Sequence, residues 1–509
     1  MPVAGSCWSL RVRPLSITTF TPSMVRLVSA MFVARTIFRS ADGRIARHVI
    51  AVNMAHMAAL IGSGEVDRRT GARCLKFLLG ASSDTSPGAR AEDFHQQLEQ
   101  QAVDSLGVEA AGYLNYGKSR NDQVATAIRM ELRMEVLALL GNLSELQRSL
   151  LKQAAGRGTV IIPGYTHMQR AQPVTLAHHL FAHFDAFQRD SERLLQLYAR
   201  VNLSPMGGAA MAGTPVKVDR RAVADSLGFD GVVRNATDAV SGRDLMVEAL
   251  SCATVAMLDA SRLAEELILW SSTEFAFVEL DDAYAASSSI MPQKKNAVAA
   301  ELVRAKAGSV MGRLVAGCAI LKALPYSYNL DLQEVTPHVW GAFDDALGSM
   351  AVLSGMVSSA AFHTETLRSA VAGDSSTAVA LANHLVRENG ISFRQAHAIV
   401  GQLVRTSVET GTPLDQVAAS KMPSVSARFG KRISMDRAAA RAILDPQRFL
   451  NSIATEGGSN PRSIQGGLRV REGELAQTQS ALSGLNSSLR RSGRKLNSIA
   501  SGIAREVKS

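Results

Sequence analysis

The chain has 509 residues, of which 46% are hydrophobic, 20% are charged and 5% are aromatic. This composition is typical of a globular protein that can bury large cores, and it favours helices. The most apolar stretch, 249–270, contains four charged residues, so we expect no membrane-spanning helix. The cysteines form no Cys-x-x-Cys pair, which argues against a zinc site or a disulfide framework and for a reducing, cytoplasmic location. They are Cys7, Cys74, Cys252 and Cys318.

The formal net charge is +10, and a basic balance of this size can indicate nucleic-acid binding. However, no basic-aromatic module accompanies the charge, and much of the excess lies at the two ends of the chain. Solvated basic tails explain it, and an enzyme for polyanionic substrates would also tolerate a positive field. We therefore predict that the protein binds neither nucleic acid nor membranes.

The first 41 residues contain five arginines and no Asp or Glu. That composition is typical of a mitochondrial transit peptide, and a start codon placed too far upstream explains it equally well. We therefore treat 1–41 as a divergent or mistranslated extension that is not part of the folded domains.

Long stretches without proline, such as 88–162, can hold long helices because proline breaks helix interiors. Apolar residues at steps of three or four from Val124 to Leu150 predict one face of such a helix. Further long helices are predicted over 245–270, 299–324 and 339–362, and no stretch shows the alternation of a strand. The predicted fold is therefore all-α, with a central bundle of long helices. The predicted domains are an N-terminal helical domain (42–111), the central bundle (112–362), and a C-terminal helical domain with a basic tail (363–509).

Polar segments at the joints of this bundle carry the candidate functional residues. The joints are 112–123, 163–173, 283–296 and 325–337. At the first joint, Ser119, Arg120 and Asn121 provide hydrogen-bond donors at a helix start, where backbone N–H groups attract anions. These residues fit either a carboxylate site or an ordinary helix cap.

The second joint contains Thr166 and His167. Histidine is the natural acid or base near neutral pH, although a lone histidine is more often structural. Three further histidines, His178, His179 and His183, lie on the following predicted helix, and for them we expect structural roles.

The third joint has three consecutive serines followed by a proline and two lysines, which predicts a mobile loop that ends at a helix. Ser288 could act as a base only if its alkoxide were stabilised, and Lys294 with the loop N–H groups would supply that positive field. A flexible polar loop is the alternative interpretation. The fourth joint, with Tyr328 and Gln333, is polar and aromatic and says little by itself.

Together these segments resemble the argininosuccinate lyase family of the fumarase/aspartase superfamily, from about residue 42 to about residue 467. Ser-Arg-Asn-Asp-Gln-Val-Ala-Thr (119–126) and Gly-Tyr-Thr-His-Met-Gln-Arg-Ala-Gln-Pro (164–173) are similar to that family's patterns. Ser-Ser-Ile-Met-Pro-Gln-Lys-Lys-Asn (288–296) is similar to the superfamily signature loop, and Asp-Leu-Gln-Glu (331–334) is a fourth match. The run 333–338 resembles the archaeal branch.

The resemblance implies a β-elimination that splits argininosuccinate into arginine and fumarate, without an organic cofactor or a metal. It implies Ser288 as the base, Lys294 and Asn296 as groups that stabilise the substrate carboxylate, and His167 paired with Glu301 at the leaving group. It also implies a homotetramer in which loops of three subunits build each site. The remaining implied substrate-binding residues are Ser119, Arg120, Asn121, Thr166, Tyr328 and Gln333.

Some positions depart from the family pattern. Thr336 stands where many members have a substrate-binding Lys, and Phe38 where we expect a substrate-binding Ser. Two alternatives therefore stay open: another fumarate-releasing lyase of the superfamily (adenylosuccinate lyase, fumarase or aspartase), and a catalytically inactive relative similar to a lens crystallin.

Overall fold

The computed structural model describes residues 42–83, 93–291, 293–372 and 375–506. The predicted extension 1–41, with Phe38 inside it, lies outside the described residues. Pro292 in the third joint and residues 507–509 of the basic tail lie outside them as well.

Helices dominate the described part of the chain and confirm the predicted all-α fold. The first helices are α1 (Asp42–Gly62), α2 (Arg68–Gly80), α3 (Phe94–Leu106) and α4 (Val108–Gly112). The central helices are α5 (Arg120–Ala155), α6 (Leu176–Val201), α7 (Arg220–Ser226), α8 (Ala236–Ser241), α9 (Asp244–Ser271), α10 (Val298–Leu321) and α11 (Asp331–Ser359). The last are α12 (Thr364–Val371), α13 (Ala378–Asn389), α14 (Phe393–Thr410), α15 (Leu414–Ala427), α16 (Arg437–Ile443), α17 (Pro446–Ser452) and α18 (Pro461–Ala504).

Short strands occur between the helices, where the sequence predicted none. They are β1 (Ile161–Thr166), β2 (Gln169–Thr175), β3 (Leu203–Ser204), β4 (Gly231–Val232), β5 (Val278–Glu279), β6 (Ala286–Ser287), β7 (Lys295–Asn296) and β8 (Ala361–Phe362). The pairs β1–β2, β5–β8 and β6–β7 are antiparallel, and β3–β4 is parallel. The second joint is therefore a β-hairpin, which the sequence did not predict. Most of these strands have only two residues, too few to show an alternating pattern.

The long helices α5, α6, α9, α10 and α11 form the bundle. The amides of Asn142 and Gln153 on α5 donate to the carbonyls of Leu347 (2.9 Å) and Val357 (2.7 Å) on α11, so these two helices run in the same direction. Helix α6 runs antiparallel to α5, because Arg129 near the start of α5 donates to the carbonyl of Arg200 near the end of α6. Helices α6 and α9 are antiparallel, and so are α9 and α10, because residues near the start of one helix pair with residues near the end of the other.

Helix α11 begins earlier than predicted. It starts at Asp331 rather than at residue 339 and continues through Pro337. Proline removes one helical hydrogen bond and strains the preceding turn. The buried side chains of Leu332, Val335 and Thr336 hold this first part of the helix against the bundle, so packing outweighs the local preference.

Helix α1 contains a 20-residue stretch, Gly43–Gly62, that is long and apolar enough to span a membrane by length and composition. In the structure 67% of the apolar part of this stretch is buried within the fold. The helix packs against α5 and α2. This stretch was not recognised from the sequence. Its burial is that of a core helix.

Apolar side chains form two separate clusters in the described residues. The large cluster joins the N-terminal helices, the bundle and α18. The smaller one lies in α13 to α16, between Leu381 and Ala440. Helix α18 follows this small cluster in sequence, yet it packs against α5 and α2. The predicted basic tail thus runs as a helix along the bundle as far as Ala504.

Candidate active site

The helix directions divide the candidate residues between two ends of the bundle. The first joint and the fourth joint precede the parallel helices α5 and α11, so they lie at one end, here called the Ser119 end. The second joint follows α5, and the third lies between α9 and α10, so both lie at the opposite end, here called the Ser288 end. Since α9 has 28 residues, about 40 Å separates the two ends at 1.5 Å per residue.

The Ser119 end is fixed by a helix cap. The Ser119 side chain accepts a hydrogen bond from the backbone of Asn121, and the Asp122 carboxylate accepts one from the Ser119 N–H, which completes a capping box. Asp122 is fully buried and also accepts from the N–H groups of Gly207 (3.0 Å) and Ala209 (2.9 Å). Burial raises the pKa of the Asp122 carboxyl, and the three backbone donors oppose that shift. The cap thereby ties the helix start to a loop 85 residues further on.

Arg120 and Lys118 face a small polar cavity of about 160 Å³ beside this cap. The Arg120 guanidinium pairs with the Asp93 carboxylate at 2.8 Å, and the Lys118 ammonium donates to the Asn53 side-chain oxygen at 2.6 Å. Burial lowers the pKa of Lys118 to about 8 and that of His95, which also lines the cavity, to about 4. Burial thus leaves His95 uncharged at neutral pH, and the positive charge at the cavity comes from Lys118 and from Arg120, whose charge Asp93 offsets.

Tyr328 and Gln333 lie at the same end. The Gln333 amide donates to the Tyr328 hydroxyl at 2.7 Å, and burial raises the pKa of that hydroxyl. Arg243, at the start of α9, is buried near Tyr328, and its Nε has no hydrogen-bond partner among the residues that the structure describes. Arg243 could not be recognised from the sequence, because nothing in the local pattern distinguishes it from other arginines near a helix start.

At the Ser288 end, Thr166 and His167 lie at the tip of the β1–β2 hairpin. Thr166 pairs with Gln169 across a two-residue turn formed by His167 and Met168. Both turn residues have positive φ, 52° and 57°, as a type I′ turn requires, although Asn-Gly is the usual sequence there. Strained backbone of this kind is concentrated at functional sites.

Ser288 lies in the exposed loop between β6 and β7. Its N–H donates to the Lys294 carbonyl at 3.0 Å, which closes the loop. The Ser288 Oγ accepts hydrogen bonds from the backbone N–H groups of Ile290 (3.2 Å) and Met291 (3.1 Å). The Lys294 ammonium donates to the side-chain oxygen of Asn296. Two N–H groups directed at one hydroxyl stabilise negative charge on it.

A cleft of about 550 Å³ opens beside this loop and is lined by Lys294, Lys295, Asn296 and His363 among others. The His363 Nδ1 lies 2.9 Å from the Ala276 carbonyl, and Lys295 pairs with Asp282 at 2.7 Å. Sequence reasoning missed His363, because it reaches the cleft only through the pairing of β5 with β8.

Two of the expected partnerships are not present within one chain. Glu301 lies in the first turn of α10 and is exposed, and among the described residues no hydrogen bond or ion pair joins it to His167. The fumarate-binding set of Ser119, Asn121 and Thr166 is divided between the two ends.

One group of side chains has the donor atoms of a metal site. His179, His183 and Glu266 converge between the start of α6 and the end of α9. Burial by itself would raise the pKa of the Glu266 carboxyl, but hydrogen bonds from the two imidazoles hold it well below its usual range.

Comparison with known proteins decides the family. Residues 88–312 match the family model described as "Lyase", and residues 375–451 match the one described as "Argininosuccinate lyase C-terminal". The chain is 43% identical over 456 residues to the argininosuccinate lyase of Methanoculleus marisnigri, covering 87% of this chain and 92% of that protein. It is 42% identical over 448 residues to that of Methanothrix thermoacetophila, covering 87% and 91%. The chain belongs to the argininosuccinate lyase family.

The fold agrees with this assignment to the argininosuccinate lyase family. A crystal structure of EDDS lyase in complex with formate superimposes with a TM-score of 0.86 at 28% identity, covering 93% of this chain and 96% of that one. A class II fumarase from Schistosoma mansoni shares the fold alone, with a TM-score of 0.69 at 16% identity, covering 81% of this chain and 94% of that one. The resemblance inferred from the four motifs is confirmed, and the protein is a lyase.

Proposed function

We propose that this lyase catalyses the reversible β-elimination of argininosuccinate to arginine and fumarate in arginine biosynthesis, in the cytoplasm. The observation that carries the proposal is the Ser288 loop, which holds a hydroxyl under two backbone N–H donors beside Lys294. The family membership supports the choice of substrate over that of the other superfamily lyases.

In the proposed mechanism the Ser288 alkoxide removes a proton from the carbon next to a succinyl carboxylate. The N–H groups of Ile290 and Met291 lower the cost of ionising Ser288, as charge-directed donors do in oxyanion holes. Lys294 and Asn296 stabilise the carboxylate as it takes up the negative charge of the carbanion. The carbon–nitrogen bond then breaks and the electron pair leaves with the guanidino nitrogen, which is protonated to give arginine.

His167, oriented by Glu301, assists departure of the leaving group. At the Ser119 end, Ser119, Arg120 and Asn121 bind the fumarate half together with Thr166 of the hairpin. Tyr328 and Gln333 hold the arginine half, and their mutual hydrogen bond preorganises both side chains. No metal or organic cofactor takes part.

This mechanism requires residues that one chain holds about 40 Å apart, so we propose a homotetramer with shared sites. A two-fold axis perpendicular to the bundle brings the Ser119 end of one copy to the Ser288 end of another. Helices α9 and α10 offer the surface for this contact, since they expose large apolar side chains that a monomer would leave in water. These are Leu258, Leu302, Met311 and Val315, between 46% and 64% exposed.

The first test follows fumarate release by ultraviolet absorbance from argininosuccinate, with the native protein and with Ser288→Ala. We expect a loss of about 10²–10⁴-fold, the range that a positioned acid or base contributes. Ser289→Ala is the matched control, because it removes a neighbouring hydroxyl of the same loop and should stay active. Equal rates for native protein and Ser288→Ala would refute the assigned base.

Subunit sharing has its own test. Asn121→Ala damages the Ser119 end and Ser288→Ala damages the Ser288 end, so each variant alone should be inactive. If sites are shared, unfolding and refolding the two together should restore part of the activity, since some sites then receive both intact ends. If each chain formed its own site, the mixture would stay inactive.

A further inference from the structure

A cluster outside the proposed active site joins α6 to α9. His179 and His183 are one turn apart on the same face of α6, and Glu266 faces them from α9. The two Nε2 atoms lie 2.6 Å and 2.8 Å from the same Glu266 oxygen. The possible ligand atoms of all three residues lie within 4.8 Å of one another.

This geometry is close to that of a zinc site with three protein ligands. Two histidines four residues apart on a helix, with a carboxylate from another helix, form the His₂Glu set that zinc binds with a fourth position left open. Zinc–ligand bonds of about 2.1 Å in a tetrahedron separate the donors by about 3.4 Å. Each imidazole nitrogen therefore needs to move away from the Glu266 oxygen by less than about 1 Å.

The surroundings permit binding. The side chains of His179 and Glu266 are 27% and 34% exposed, whereas that of His183 is 10% exposed. An ion can thus enter from solvent and keep water as its fourth ligand. The Trp270 ring lies 4.9 Å from the His179 ring and restricts its rotation, which lowers the entropy lost when the ligands are fixed.

We propose that His179, His183 and Glu266 form a binding site for a divalent transition-metal ion of the zinc class. Two imidazoles and one carboxylate favour Zn²⁺, Co²⁺ or Ni²⁺ over Mg²⁺ and Ca²⁺, which prefer oxygen ligands. The ion links the start of α6 to the end of α9. These two helix ends carry the β1–β2 hairpin and the Ser288 loop, so occupancy stabilises the Ser288 end of the bundle.

The test is a titration of the untagged, EDTA-treated full chain with Co²⁺, followed by the visible absorption of tetrahedral cobalt and by displacement with Zn²⁺. We expect one ion per chain, displaced by Zn²⁺ and unaffected by excess Mg²⁺. Glu266→Gln and His183→Gln should each weaken binding at least about tenfold, the lower limit for losing even an outer-shell partner. The matched control His178→Gln, on the same helix but outside the cluster, should bind as the native protein does.

Absence of saturable binding, or equal affinity in Glu266→Gln and in the native protein, would show that the cluster is only a hydrogen-bonded contact between helices. A second measurement uses the native protein alone and therefore does not depend on whether the variants fold. Zn²⁺ should protect His179, the more exposed of the two histidines, from diethylpyrocarbonate, as seen by mass spectrometry, while the exposed His397 stays reactive. Equal modification with and without Zn²⁺ would refute the site. Neither measurement depends on the proposed reaction.

Discussion

The two ends of the bundle are built differently. At the Ser119 end, Asp122 is fully buried and satisfies three backbone donors from two segments, and Asn121 donates to the Ala210 carbonyl. At the Ser288 end, the Ser288 hydroxyl accepts its two hydrogen bonds from the N–H groups of the same loop, and Ile290 is 86% exposed. One chain therefore fixes the first end by itself. The Ser288 loop at the second end is presented to solvent, where the proposed homotetramer would place a second copy.

The largest effect on the Ser119 end should come from Asp122→Ala. This change leaves the N–H groups of Ser119, Gly207 and Ala209 without their acceptor. Since each buried donor left unsatisfied costs about 1–3 kcal/mol, we expect the free energy of unfolding in urea to fall by about 3 kcal/mol or more. Asp122→Asn keeps an acceptor and should lose less. Equal losses for both variants would mean that the cap does not depend on these hydrogen bonds.

At the Ser288 end, Gly164→Ala should separate activity from stability. Gly164 lies at the irregularity of the hairpin, where an added Cβ would collide with the Gln172 carbonyl oxygen on the opposite strand. Backbone has to shift to relieve this contact, so the hairpin tip moves. We expect activity to fall about 100-fold, the cost of a displacement of about 1 Å, and stability to fall by about 1–3 kcal/mol. Gly156→Ala, where an added Cβ meets nothing within 4 Å, is the control. Full activity in Gly164→Ala would show that the hairpin position is not critical.

The buried cation of the Ser119 end predicts a pH dependence. Burial lowers the pKa of Lys118 from 10.5 to about 8, so between those values the unfolded chain binds more protons and stability rises with pH. Lys118→Met removes this rise. We expect it to be more stable than the native protein by about 1–2 kcal/mol at pH 7, because each pKa unit is worth about 1.4 kcal/mol and partial exposure reduces the effect. The difference in the free energy of unfolding between Lys118→Met and the native protein should narrow by pH 10.

Lys421→Met, at an exposed position, is the control. A difference between Lys118→Met and the native protein that stays constant from pH 7 to pH 10 would contradict the lowered pKa of Lys118.

The smallest expected effect concerns the hairpin turn. Met168 is 63% exposed and has φ of 57°, and this conformation costs most residues about 1–2 kcal/mol while asparagine tolerates it. Met168→Asn should therefore raise the free energy of unfolding by about 0.5–1 kcal/mol, measured by thermal denaturation, without loss of activity. A decrease in stability would show that the Met168 side chain makes a contact worth more than the strain.

Much of this molecule could be predicted from local pattern. The apolar steps from Val124 to Leu150 place that segment inside α5, and Ser119 is the cap that its residue type allows. The hairpin at the second joint was not predicted, because strand pairing depends on the partner strand as much as on intrinsic preference. The predicted start of α11 was also wrong, because the packing of Leu332, Val335 and Thr336 outweighs the cost of Pro337 inside the helix.

The sequence by itself determined the helical architecture and the identity of the four joints, because helix periodicity, caps and motifs are properties of neighbouring residues. Only the tertiary structure decided that the joints divide between two ends. That division follows from the parallel packing of α5 and α11, in which contacting residues are 205 positions apart. The cluster of His179, His183 and Glu266 has the same origin. Its histidines share one helix, but Glu266 reaches His183 across 83 positions, and only folding brings it there.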